Sequence, residues 1–148
     1  MRHLGSKFEH EQERNEDIMR AYFEQIRSCE NIYLPQILKR VVNMPSKRFW
    51  VSAERAAIVV SGMMRGDKLE HIKRPTKREM FYEIYNRVVQ LRKQQPNASI
   101  FELTLQVVQE PAPKFYLTPG SAKVIIHKAR QQWYEKRKPR LRHSQSQQ

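Results

Sequence analysis

The residues best suited to chemistry in this sequence are cations. The run KARQQWYEKRKPRLRH (128–143) holds Lys128, Arg130, Lys136, Arg137, Lys138, Arg140 and Arg142, with Glu135 its one acid. Such a run tracks phosphates, because each cation that neutralises one releases a condensed counterion. The competing reading is a solvated helix end whose cations suit the helix dipole. Just upstream, Ser121, Lys123, His127, Lys128, Arg130 and Gln131 fall on the outer face of a helix whose inner stripe is Ala122, Ile125, Ile126 and Ala129. These side chains can address both phosphates and base edges. A sparser version, Arg55, Ser61 and Arg65, surrounds the stripe Ala56, Val59, Val60 and Met63. Lys114 precedes Phe115-Tyr116 as Arg48 precedes Phe49-Trp50. An aromatic pair beside a cation could stack single-stranded bases. A Phe just ahead of a helix is more commonly a packing staple, and that is the reading adopted.

Enzyme machinery is not legible. His3, His10, His71, His127 and His143 show no H-x-x-x-H or H-E-x-x-H spacing. Cys29 is the single cysteine, without a neighbouring His, and reads as a small buried residue in a turn. Glycines at 5, 62, 66 and 120 are too scattered for a phosphate loop. The acids Glu13, Glu16, Asp17 and Glu24 alternate with Arg14 and Arg20, the pattern of a solvated, ion-paired helix face. The expectation is a non-enzymatic protein that uses no metal and no cofactor.

Charge sharpens the choice of partner. Lys and Arg number 28 against 15 Asp and Glu, a net charge of +13. The excess is uneven: residues 1–30 carry seven acids and five bases, so all of the positive excess lies beyond them. A field of this kind draws polyanions. Nucleic acid is the expected partner, DNA ahead of RNA, with a protein partner or a homo-oligomer as the alternative. The longest apolar run, Ala56–Val60, is too short to span a membrane. The stretch MRHLGSKFEHEQERNED lacks the apolar segment of a secretory signal. Together with the lone cysteine this predicts a cytoplasmic protein, nucleoid-associated if it binds DNA.

The elements that must position these residues are organised by an internal repeat. Val41, Val42, Pro45, Phe49 and Ala56 recur 66 positions later as Val107, Val108, Pro111, Phe115 and Ala122. Between them runs a shared P-x-x-x-F-[WY]-[VL]-[ST] signature. Further upstream an offset of 62 pairs Asp17, Ile18 and Tyr22 with Glu79, Met80 and Ile84, which implies four extra residues near RKQQPN (92–97).

Apolar spacing, capping boxes at Ser6, Thr76 and Ser99, and the prolines predict three helices per copy. These cover about 7–27, 32–43 and 52–66, then 76–91, 99–109 and 118–138. Pro139 should end the last one. The expected fold is all-α: two degenerate three-helix repeats, 6–66 and 76–138, joined by a linker, 67–75, and followed by a basic, polar tail, 139–148. Three helices with a basic third resemble trihelical helix-turn-helix modules, which implies that the third helices enter the major groove of duplex DNA. The alternative is a helical adaptor that binds a protein partner, its basic tail touching RNA or acidic surfaces. Coherent basic stripes on both third helices favour DNA, and an exposed apolar groove favours a protein.

Overall fold

The computed structural model describes the backbone of residues 2–146 and the side chains of residues 10–136. Six helices and no strand appear among the described residues: α1 (Arg2–Ser28), α2 (Leu34–Val42), α3 (Ala53–Met64), α4 (Pro75–Gln94), α5 (Ile100–Val108) and α6 (Pro119–Ser146). The fold is all-α.

The helix starts follow local chemistry. Ser99 closes a full capping box, accepting from the Glu102 amide at 3.1 Å while the Glu102 carboxylate accepts from the Ser99 amide. Ser52 and Thr118 cap α3 and α6 by accepting from the Arg55 and Ser121 amides, each at 3.1 Å. Two expected starts shift. Helix α4 begins at Pro75, whose fixed φ suits the first helical position, so Thr76 lies inside the helix and is not its cap. Helix α1 already runs through Ser6. Gly66, at φ 103°, follows the C-cap Arg65 and closes α3, a conformation that costs a residue without Cβ little. Helix α6 continues past Pro139 to Ser146; a proline removes one backbone donor without obliging a helix to stop there.

Four pairs of helix boundaries keep one offset. Ser28 and Gln94 end α1 and α4, the next helices span 34–42 and 100–108, and α3 and α6 start at 53 and 119. All are 66 apart, so the offset of 62 and the four extra residues are not present in the structure. Asp17 and Ile18 occupy the positions of Glu83 and Ile84. This is compatible with a duplicated three-helix unit.

Helices α1 and α2 pack together, as do α4 and α5, but each third helix packs on the other pair. Helix α3 packs on α5 and α4, and α6 packs on α2 and α1, whereas α2 and α3, neighbours in sequence, do not touch. Two cores result. One gathers Ala56, Val60 and Met63 of α3 with Ile84, Val88, Leu103 and Val107 of α4 and α5. The other gathers Ile18 and Tyr22 of α1 with Ile37 and Val41 of α2 and Ala122 and Ile126 of α6.

The exchange happens where the segments 43–52 and 109–118 cross. Ser46 and Ala112 trade both amide-to-carbonyl bonds at 3.0 Å. The Phe49 amide donates to the Val108 carbonyl and the Phe115 amide to the Val42 carbonyl, again at 3.0 Å. Adding 66 to one copy turns these bonds into each other, as a two-fold axis at Ser46 and Ala112 would require. Phe49 thereby lands in the core of α3–α5 and Phe115 in that of α1, α2 and α6.

Candidate nucleic-acid interface and an open groove

Because α6 lies on α2, the cations of two helices from different copies belong to one unit. Helix α2 buries Ile37, Leu38, Val41 and Val42 and leaves Gln36, Lys39, Arg40 and Asn43 exposed. Helix α6 buries Ala122 and Ile126 and exposes Lys123, Val124, His127, Lys128, Arg130 and Gln131. At 3.6 residues per turn, Lys123, His127, Lys128 and Gln131 point away from that core. Arg130 and Lys136 instead flank the line of Ala129 and Trp133. Ser121 is half-buried, and its hydroxyl accepts from Thr118 Oγ1 at 3.0 Å within the helix cap. Arg137, Lys138, Arg140 and Arg142 lie outside the described side chains.

The corresponding face of α3 and α5 is different. It exposes Glu54, Arg55 and Ile58 of α3 and Phe101, Glu102, Leu105 and Gln106 of α5, with Arg65 at the helix end. Its acids offset its cations. Of the two third helices, only α6 carries a coherent basic stripe.

Lys114, expected to bind nucleic acid, is held by the Glu79 carboxylate and sits 5.7 Å from the Tyr116 ring centroid. Tyr116 itself is buried, stacks on Phe49 at 6.0 Å, and has φ 57°. Phe49 and Phe115 are core residues, and Trp50 Nε1 donates to Asp17 Oδ2 at 2.9 Å. The aromatic pairs are thus staples and form no stacking platform. Burial pushes the Tyr116 phenol up to about 12, aided by the charges of Glu83 and Glu79 and opposed by Arg87. The neutral phenol is the folded form, so its stabilising share is complete below about pH 10, the ordinary tyrosine value, and fades as pH climbs toward about 12. A phenolate absorbance titration should therefore show a step later than that of free tyrosine, and Tyr116→Phe should remove it.

Two sequence expectations need correction. Asp17, read as part of a solvated acidic face, is fully buried. Its Oδ1 accepts from Arg20 Nε at 3.0 Å and Nη2 at 2.6 Å, and its Oδ2 from the Lys47 amide at 2.8 Å and from Trp50. The crossing segment covers α1 exactly there, which the pattern of α1 alone does not reveal. Burial works to lower the Arg20 guanidinium pKa, but hydrogen bonds and charge from Asp17 and Glu24 carry it above the usual arginine value. Cys29 is half-buried, with Arg40 Nη1 3.6 Å from its Sγ.

Sequence reasoning also missed an open groove between α1 and α6, of about 1040 Å³. Met19, Tyr22, Phe23, Ile26, Ala129 and Trp133 give it apolar walls. Glu11 and Glu16 rim the α1 side, and Arg130 and Lys136 the α6 side. The helical spacing of these apolar positions is legible in the sequence, but not that Phe23 and Trp133 remain 48% and 53% exposed.

No protein-family model, curated protein or solved structure matches the chain. No described helix is long and apolar enough to cross a membrane.

Proposed function

We propose that the protein binds duplex DNA through the basic face that α2 and α6 form together. The observation that carries this reading is the packing of α6 on α2, which puts Lys39 and Arg40 on the same unit as Lys123 and Lys128. Lys39, Arg40, Lys123 and Lys128 take phosphates, and His127 and Gln131, on the same outward face of α6, address bases. The cations Arg137, Lys138, Arg140 and Arg142 that follow in the sequence extend the electrostatic contact. In trihelical DNA-binding modules a basic helix enters the major groove while a second braces it. Here α6 is the entering helix and α2 the brace, although they come from different copies. The α3–α5 face, with Glu54 and Glu102 among its exposed residues, takes no part. The basic stripe expected of both third helices is present on α6 alone, and the exposed apolar groove beside it is a separate feature that favours a protein. The reading is therefore of one DNA-binding face and not two in tandem.

A salt titration of duplex binding by fluorescence anisotropy tests this. Affinity should fall steeply with salt, by about 0.9 in log–log slope per phosphate contacted. Lys123→Ala with Lys128→Ala should flatten that slope by about two contacts' worth, while Arg55→Ala on the other face should leave it unchanged. Equal losses from the two faces, or no duplex binding even at low salt, would refute the proposal.

A further inference from the structure

The groove between α1 and α6 has a counterpart in the other half of the molecule, and there it is filled. After α3, the chain turns at Gly66 and lays residues 67–74 back over α3 and α4. Leu69, at 0% exposure, and Ile72, at 7%, enter the core of α3, α4 and α5. Asp67 Oδ1 accepts from the Leu69 amide at 2.9 Å, and the Tyr82 hydroxyl donates to the Lys68 carbonyl at 3.1 Å, pinning the segment down. Leu69 holds φ 63° to do so, a conformation a leucine adopts only when its surroundings enforce it.

Shifting by 66 residues carries Tyr82 and members of the core that this plug enters onto the open groove. Tyr82 corresponds to Glu16, Tyr85 to Met19, Val88 to Tyr22 and Met63 to Ala129, and all four of these counterparts line the groove. Helix α6 does not turn back where α3 does but runs straight on. Among the described residues no folded-back segment supplies a Leu69 or an Ile72 on this side, so Met19 and Tyr22 line a groove where their counterparts Tyr85 and Val88 belong to a closed core.

The rims indicate what completes it. One wall is acidic, through Glu11 and Glu16 of α1, and the other basic, through Arg130 and Lys136 of α6. A surface with an acidic strip beside a basic one is self-complementary: a two-fold rotation lays each strip over its opposite. Between the strips lie side chains that are both wall and knob, Phe23, Ile32 and Trp133, each about half exposed or more. We infer that the α1–α6 groove is the site at which a second copy of this chain docks, α1 of each copy against α6 of the other, with the exposed aromatic residues of one entering the groove of its mate. This inference does not depend on DNA binding. The outward cations Lys123 and Lys128 stay clear of the contact.

The test is sedimentation equilibrium of the full chain without nucleic acid. The expected result is a reversible dimer of twice the 17.8 kDa chain mass, with Kd tighter than about 100 µM. Phe23→Glu should shift the chain to monomer with at least a tenfold weaker Kd, while its helical melt stays cooperative because Phe23 is half exposed. Charge exchange adds a control independent of folding. Glu16→Lys should weaken association, and Glu16→Lys combined with Arg130→Glu should restore it. A chain that stays monomeric throughout overturns the inference, including one that binds an apolar dye in the groove. So does a dimer indifferent to Phe23→Glu, or a failure of the charge exchange to restore association.

Discussion

Severing the chain between α3 and α4 should abolish the fold of both halves, and mixing the halves should restore it. Residues 1–66 contain α1, α2 and α3, yet the helices α3 packs on are α4 and α5, and the core of α1 and α2 is closed by Phe115, Ala122 and Ile126 from the other half. A twelve-residue helix without a docking surface is marginal in water, and a pair of helices lacking its third is below the size at which burial outweighs chain entropy. Circular dichroism should show no cooperative melt for either half alone and near-native helicity in the equimolar mixture. Any order in isolated 1–66 should come with self-association, since α3 of one copy could fill the place of α6 on another. A cooperatively melting monomer of residues 1–66 would show that sequential units are self-sufficient. The crossing at Ser46 and Ala112 would then be a contact between finished domains and not the exchange that builds both cores.

Why the exchange was hidden from sequence is a matter of what periodicity encodes. The stripe Ala56, Val59, Val60 and Met63 states that α3 has an apolar face and where that face lies on the helix. It carries no information on which helix covers it, because α2 and α5 present near-equivalent apolar faces, Val41-Val42 and Val107-Val108. The choice is made by the segments 43–52 and 109–118. Their crossing bonds are between backbone atoms, apart from one that the Ser46 hydroxyl donates to the Lys114 carbonyl, and the recurring Pro and Phe are their main side-chain signature. The helices themselves, the caps at Ser52, Ser99 and Thr118, and the inner stripe of α6 were readable, since each rests on interactions within a few residues. The upstream register was not, because an amphipathic helix shifted by four residues nearly superimposes its apolar face. Helix ends at Ser28 and Gln94 resolve what the pattern leaves degenerate.

The candidate site shows the same division. That α6 is basic was visible; that α2 lends it Lys39 and Arg40, and that Lys114 is committed to Glu79, depends on contacts distant in sequence. The two halves differ in complementary ways. One spends its connecting segment on closing the core with Leu69 and Ile72. The other lets its last helix run on, which extends a basic surface and leaves a groove open. In the function and docking mode proposed above, one face of this near-symmetric scaffold meets a polyanion and the other a second copy of the chain.

Asp17 ties the crossing segment to α1, and replacing it with alanine should cost about 3–5 kcal/mol. The carboxylate is fully buried and meets donors from three sources: the Arg20 guanidinium, the Lys47 amide and the Trp50 indole. Removing it strands the last two away from water, at about 1–3 kcal/mol for each unmet donor. Arg20 adds less, because its side chain is partly exposed and keeps Glu24 and the Pro45 carbonyl. The equivalent position in the other copy is a built-in comparison. Glu83 pairs with Arg87, which also reaches the Pro111 carbonyl, but Glu83 is 36% exposed, and Pro113, the residue matching Lys47, has no amide hydrogen to offer. Glu83→Ala should therefore cost no more than about 1 kcal/mol. Thermal melts should place Asp17→Ala some 10 °C below the parent and Glu83→Ala within a few degrees of it. Asp17→Asn should fall between, since one of its amide atoms can still accept while the other turns a donor toward donors. Equal shifts for Asp17→Ala and Glu83→Ala would mean that the crossing is held by its backbone bonds and apolar contacts alone.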